Sequence, residues 1–522
     1  MTSAQNEAVS GVGSWFQTAD RRVADDQLRS LREATVVTID STLPVSPPAG
    51  PDVVGDDPGS NPAEAAARER SRWRHPSMGV PRGDQWSRLT FALDPALPVL
   101  LFRIGHYPLH HGTVGAIRSL GRGGVPVFAV TEDRYTPAAL SRYLTGRVDF
   151  PSCGAEPQHE LLDRLVELGR TIDCRPVLMC TDDEAAVLVA EGAERLREHF
   201  VLPDVPPALV RQLASKRGLH QLCGQLGVPT PATWFPTGTA ELEHIVDETS
   251  YPVIVKNTDP WTRLTRAAVT GSTIVADRAE LLELASTWRE PFCGLVQEYL
   301  PDESSEDWIV HGYWGTDDEA HVAFSGRKLR SWPPRFGATA YAEVQCNEVL
   351  LAASRALCGQ IGYRGIFDMD WRWDRRSGRY FLLDFNPRLG AQFRLFEDDV
   401  GIDVVRAMHL DLSGRAVPGG GQVDGERFVV ENLDLAARRA YRRLDRVVAP
   451  SGGPAQGAGA LETSSPSRGP RLAWFASDDL LPVVSFAIRQ LAMSVTSRLR
   501  AVFGSARRRP RRPTAPSRRS ES

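Results

Sequence analysis

Between Leu97 and Cys180, short apolar runs alternate with stretches of helical spacing. Pro98–Ile104 (PVLLFRI), Val125–Val130 (VPVFAV) and Pro176–Cys180 (PVLMC) read as strands, and Gly112–Leu120, Pro137–Leu144 and Leu161–Arg170 as helices. A strand buried on both faces shows an unbroken apolar run, so this alternation predicts a parallel sheet covered on both sides, an α/β domain over residues 96–205. Over residues 206–415 the texture becomes α+β, with strands joined by short turns that predict antiparallel pairing. Residues 1–95 are rich in Pro, Gly, Ser and Asp, as in Leu43–Pro51, and are expected to be a mostly disordered linker with a short helical run at Ala63–Arg70. Residues 416–480 form an extension in which Gly/Pro/Ser-rich loops, Ala416–Gln422 and Ser451–Arg471, flank a strand–helix segment at Phe428–Arg443. In 481–522 an amphipathic stretch, Val483–Phe503, precedes the basic run Arg507-Arg508-Arg509-Pro510-Arg511-Arg512.

The most informative alternation lies at Ile366–Trp373 (IFDMDWRW). Phe367, Met369, Trp371 and Trp373 fall on one face; Asp368, Asp370 and Arg372 fall on the other. A polar turn, Asp374–Arg379, leads into Tyr380–Asn386 (YFLLDFN), where Asp384 and Asn386 share a face. If Asp374 pairs with Tyr380, Asp370 stands directly opposite Asp384. Like charges about 5 Å apart across a sheet repel. A divalent cation would remove that penalty, with Asp370, Asp384 and the Asn386 amide oxygen as hard ligands suited to Mg²⁺. The competing reading is two solvated aspartates on an exposed hairpin. Arg388, just past Pro387, carries a guanidinium fork that could reach phosphate oxygens.

Composition narrows the classes. The chain has 522 residues, enough for about three domains. Its 61 Lys and Arg against 65 Asp and Glu leave a net charge of −4, so no nucleic acid held by overall positive charge is expected. The seven cysteines are odd in number and lack paired metal-ligand spacing, which predicts reduced thiols in a cytosolic protein. The first residues show no signal-peptide apolar core, and no run of ~18 apolar residues occurs, so a soluble cytoplasmic protein is expected. Gly105, Gly112 and Gly115 do not have dinucleotide-fingerprint spacing, and His106, His110 and His111 read as loop surface rather than a metal site.

Asp384-Phe385-Asn386-Pro387-Arg388 resembles the acidic-x-Asn-x-Arg magnesium motif of ATP-grasp ligases, with Asp370 matching the upstream acidic ligand. Other segments resemble that superfamily in the same order: Ala214–Arg217 with Leu226–Pro231, then Tyr251–Lys256, then Leu295–Pro301. Ser325–Gly337 is similar to a carboxylate–amine ligase subgroup that includes D-aspartate ligase-like enzymes, and weaker likeness continues through Val430–Asp434 and Phe475–Asp479. The resemblance implies an N-terminal Rossmann-like pre-ATP-grasp domain followed by a two-subdomain ATP-grasp fold, with ATP between two antiparallel sheets. It implies ATP and Mg²⁺ (or Mn²⁺) as cofactors. Lys216 and Lys256 would neutralise phosphate charge, and Gln297, Glu298, Tyr299 and Leu300 would form the adenine hinge. Glu306 is favoured over Glu303 and Asp307 as the ribose carboxylate.

The implied chemistry joins a carboxylate to an amine, the substrate being an amino acid or peptide. The carboxylate attacks the γ-phosphate, and the amine then displaces phosphate from the acyl phosphate. Arg388 would stabilise the transferring phosphoryl group, and Lys328 or Arg330 would hold the acceptor or the carboxylate. A mobile lid is expected at Thr258–Ser272, although this segment lacks the family's glycine-rich character, and Arg263 or Arg266 would substitute for its backbone amides. The alternative is an ATP-binding regulatory or scaffold protein without turnover, which the intact metal set disfavours. The C-terminal stripe fits either peripheral membrane contact or, as expected here, a helix packed on the core with an Arg-rich tail.

Overall fold

A computed structural model describes residues 91–493, apart from 153, 173, 318–319 and 449–468. The linker expected at 1–95, most of the loop at 451–471 and the basic run lie outside the described residues, save for the few positions at their borders.

The first unit is a four-stranded parallel sheet in the order β3-β2-β1-β4, made of β1 (Val99–Phe102), β2 (Val127–Val130), β3 (Gly146–Val148) and β4 (Val177–Cys180). Helices His111–Arg122, Gln158–Thr171 and Asp183–Glu191 cover it. One sheet face packs Leu100, Phe102, Phe128 and Leu178 against the latter two helices. The other buries Val99, Leu101, Val127 and Met179 in a core shared with the large sheet described below. β3 is only three residues long and escaped the apolar pattern. Pro137–Leu144 forms just a short turn of helix at Ala138–Leu140. The cause is tertiary: the Arg142 N–H and the Ser141 hydroxyl donate to the Asp479 carboxylate at 2.9 and 2.7 Å, bonds that compete with a continuing helix. The histidines also differ from expectation. His106 is exposed, but His110 accepts from the Thr113 N–H to cap its helix, and half-buried His111 packs against Phe428 and Trp474.

Two antiparallel layers follow. A four-stranded sheet in the order β5-β8-β6-β7 contains β5 (Thr233–Trp234), β6 (Val253–Asn257), β7 (Thr273–Val275) and β8 (Gly294–Glu298). A seven-stranded sheet in the order β13-β12-β9-β10-β11-β14-β15 contains β9 (Ser305–Trp314), β10 (Ala320–Trp332), β11 (Ala338–Val344), β12 (Gly365–Asp374), β13 (Arg379–Asn386), β14 (Arg427–Val429) and β15 (Arg471–Leu472). Only its last pair, β14 with β15, is parallel. Period-2 alternation sorts the large sheet. Trp308, Val310, Phe367, Met369 and Phe385 share a core with residues of helix Glu348–Ile361. Ile309, Tyr313 and Ile366 belong to the opposite face and share a core with helix Val404–Leu412. The expected strand–helix segment near 428–443 is β14 followed by helix Glu431–Val448. No helix among the described residues is long and apolar enough to cross a membrane.

Candidate active site

Between the two antiparallel sheets lies a cleft with about 810 Å³ of open space. Its floor is the β12–β13 hairpin. The turn closes one residue earlier than expected, pairing Asp374 with Arg379 rather than Tyr380, which by itself would set Asp370 against Leu383. A β-bulge between Asp370 and Trp371 absorbs one extra residue of β13 and brings Asp370 opposite Asp384. It also turns both Leu382 and Phe385 into the core, two positions that an unbroken strand would send to opposite faces.

Each aspartate meets a lysine. Lys216 Nζ donates to Asp384 Oδ2 at 2.8 Å, and Lys328 Nζ to Asp370 Oδ1 at 3.0 Å. Burial pushes the Asp370 carboxyl up from its ordinary value, only partly offset by Lys328. For Asp384 burial pulls the same way, but Lys216, with Lys256 and Arg388 behind it, outweighs burial and holds the group below the usual range. Lys216 occupies the first turn of helix Lys216–Leu226, capped by the Ser215 hydroxyl, where the helix dipole already favours anions. On β6, Val253 and Val255 enter the core while Ile254 and Lys256 face the cleft. Lys256 Nζ donates to Gln297 Oε1 at 3.0 Å. Burial, reinforced by nearby Lys216, lowers its pKa to about 8.

Gln297, Glu298 and Leu300 line the cleft. Tyr299 sits between them in sequence, but its side chain is not on the wall; burial raises its hydroxyl to about 12. Four expectations need correction. Glu306 turns to the other side of β9 and pairs with Arg327 and Arg375, while its neighbour Asp307 lines the cleft and pairs with Arg372 at 2.9 Å. Arg330 leaves the site because a register shift in β10 separates it from Lys328; it pairs with Asp434 at 2.7 Å and covers the Tyr341 ring. Arg388 lies off the cleft wall, bound to Asp183 at 3.0 Å and Asp368 at 3.2 Å. Finally, Thr258–Ser272 contains helix Pro260–Arg266, capped by Asp259, with Trp261 buried against the first unit. There Arg263 pairs with buried Glu184 at 2.8 Å, and of this segment Ser272 alone is on the cleft wall.

Several wall residues were not singled out from the sequence. Arg335, Phe336 and Gly337 close one side; Arg335 adopts φ +79°, and a Cβ on Gly337 would meet the Trp332 backbone at 2.0 Å. Arg372 is buried in ion pairs with Asp302 and Asp307. Its place on the Asp370 face followed from alternation; its partners, far away in sequence, did not.

The donor set suits a hard cation in part. Among the described residues no three His, Cys, Asp or Glu side chains form a metal-holding group. What the hairpin presents is a pair of opposed carboxylates, Asp370 and Asp384, with Asn386 two residue pairs further along, opposite Asp368, where its Nδ2 donates to the Asp368 carbonyl at 3.2 Å. Opposed carboxylates are ligand types that suit Mg²⁺, which keeps waters and takes phosphate oxygens to complete its shell.

No protein-family model matches the chain. It is 23% identical over 224 residues to a D-aspartate ligase of Enterococcus faecium, a match covering 41% of this chain and 53% of that protein. The chain thus spans about half the length of the curated relative it matches. Among solved structures, it is similar to the biotin carboxylase domain of Hydrogenobacter thermophilus 2-oxoglutarate carboxylase, solved with MgADP and bicarbonate (TM-score 0.48, 14% identity, 63% of this chain and 72% of that one). It is also similar to an L-amino acid ligase of Bacillus licheniformis (TM-score 0.46, 17% identity, 61% of this chain and 75% of that one).

Proposed function

We propose that the protein is an ATP-grasp carboxylate–amine ligase that uses ATP and Mg²⁺ to form an amide through an acyl phosphate. The observation that carries this reading is the pairing of Asp370 with Asp384, each held by a lysine, in a cleft between two antiparallel sheets. The likeness to a D-aspartate ligase supports the reaction class, with an amino acid as one substrate. The parallel-sheet unit then serves as the Rossmann-like domain that precedes the ATP-grasp fold in this reading.

Each group has a task that its surroundings allow. The Gln297–Leu300 backbone and the side chains of Gln297, Glu298 and Leu300 would face an adenine edge, and Asp307, which lines the cleft where Glu306 does not, would accept from ribose hydroxyls. Lys216 and Lys256 supply positive charge to the phosphates, and Asp370, Asp384 and Asn386 would hold the cation. Bound magnesium would draw charge from the β- and γ-phosphates and so ease phosphoryl transfer. Lys328, now paired with Asp370, can pass to a substrate carboxylate or phosphate once that aspartate faces a cation. Arg388 is half-buried and held between Asp183 and Asp368, where it would fix the hairpin's end and lend positive potential to the site.

Phosphate release from ATP is to be measured with a panel of amino-acid carboxylates and amines, and products followed by mass spectrometry. Release that requires both an acid and an amine supports the reading; nucleotide binding with no release under any pair favours the scaffold alternative.

A further inference from the structure

The helix over residues 481–493 is clamped to the body of the protein and yet apolar on its free side. At its base Asp479 binds Arg118 Nε at 2.9 Å and the Ser141 hydroxyl at 2.7 Å, and Asp478 binds Arg122 at 2.7 Å. Along the helix, Phe486 stacks on buried Trp474 with ring centroids 4.4 Å apart, Ser485 donates to the Tyr135 carbonyl, and Arg489 pairs with Asp133 at 2.6 Å. Helical geometry places Leu481, Val484, Ile488 and Leu491 opposite that docked side, and they are 58%, 49%, 64% and 67% exposed. A surface helix that docks by one face ordinarily turns polar residues outward. Here no described residue covers the outer stripe, and exposed Leu480 and Tyr135 adjoin it, the latter beneath the Arg134 guanidinium at 4.7 Å.

The sequence beyond this helix says what suits such a face. Val495, Leu499 and Val502 continue the same spacing, and residues 494–522 contain nine arginines and a single acid, Glu521, in a chain whose net charge is −4. Apolar residues at helical spacing joined to a polybasic segment match a surface that is apolar just below and anionic at its face. We infer that the stripe Leu481–Val484–Ile488–Leu491 is a docking surface for an anionic lipid bilayer, whose charge the arginine-rich sequence that follows complements, holding the protein at the membrane without crossing it. None of the four stripe residues lines the cleft, so this inference stands or falls independently of the ligase reading.

The full chain is to be co-sedimented with vesicles of phosphatidylcholine alone and of phosphatidylcholine mixed with phosphatidylglycerol. Binding to the anionic vesicles should be about tenfold or more stronger and should weaken as salt rises. The combined variant Leu481→Ser, Val484→Ser, Ile488→Ser, Leu491→Ser should lose about tenfold or more in partitioning with its melting temperature unchanged. A second variant, Arg507→Ser, Arg508→Ser, Arg509→Ser, should lose part of the binding and of its salt dependence with its melting temperature unchanged. Equal partitioning by the stripe variant, no preference for anionic vesicles, or a self-associated form in solution that the stripe variant dissolves would each overturn the proposal, the last by assigning the stripe to a second copy of the chain.

Discussion

Lysine–carboxylate pairs in the cleft and arginine–carboxylate pairs at the seam between the parallel sheet and the C-terminal segment use the same attraction under opposite burial. At the seam, the Arg118 and Asp479 side chains are 4% and 1% exposed, and Arg118 also donates to the carbonyls of Trp474 and Asp479. Almost every polar atom there has a protein partner, so breaking one bond strands a charge in a low-dielectric interior. In the cleft, the Lys216 and Asp384 side chains are 26% and 29% exposed and open to a space that a phosphate could enter. A lysine ammonium also exchanges partners readily, whereas an arginine fork locked to carbonyls does not. Burial and donor geometry, more than charge, separate pairs that hold the fold from pairs that can be displaced by a ligand.

The sharpest way to break this comparison is Asp479→Ala. It leaves Arg118 buried and unpaired and should cost about 3–5 kcal/mol of stability in urea denaturation, with nucleotide affinity of the folded fraction unchanged. A loss under about 1 kcal/mol would place the seam with ordinary surface pairs. Asp384→Asn should do the reverse. Turnover should fall by about 10²–10³-fold, with melting little altered, because a partly solvated lysine freed of its partner keeps water. Retention of full turnover would sink the metal assignment.

Smaller effects sharpen the picture. Lys256, with its pKa lowered to about 8, is charged below that pH and neutral above it. Nucleotide affinity measured by calorimetry should therefore hold up to pH 7 and weaken about tenfold by pH 9, and Lys256→Arg should flatten the profile. A profile unchanged by that substitution would assign the titration to another group. Smallest of all is the contrast across β9: Asp307→Asn should weaken nucleotide binding by about tenfold, while Glu306→Gln, facing Arg327 and Arg375, should change it less than about twofold. The opposite ranking would restore Glu306 as the ribose contact.

The hairpin shows how much of the site was legible and where legibility ended. Alternation in IFDMDWRW and YFLLDFN put the two aspartates on faces that could meet, and they do meet. The route differed: an earlier turn and a compensating bulge replaced the expected uninterrupted register. A bulge depends on which of Leu382 and Leu383 the core accepts, which is a packing question that the pattern of two adjacent leucines leaves open. Arg330 and Glu306 were misplaced for a related reason. Each stands one or two positions from the residue that faces the cleft, and a single register step reverses the face.

Arg263 and Arg388 were misread differently, because their partners Glu184 and Asp183 belong to another unit of the chain. Local chemistry alone determined that this protein has a parallel-sheet unit, an antiparallel region, two aspartates suited to a cation and an apolar stripe before a basic run, since each rests on side-chain periodicity and residue type within a short window. Which lysine meets which aspartate, which charges are sealed at the seam and which side of the helix over residues 481–493 no described residue covers were decided only in three dimensions. Those outcomes depend on contacts between segments far apart in the chain, where burial sets the strength of every charge and the packing of whole sheets selects the face each residue presents.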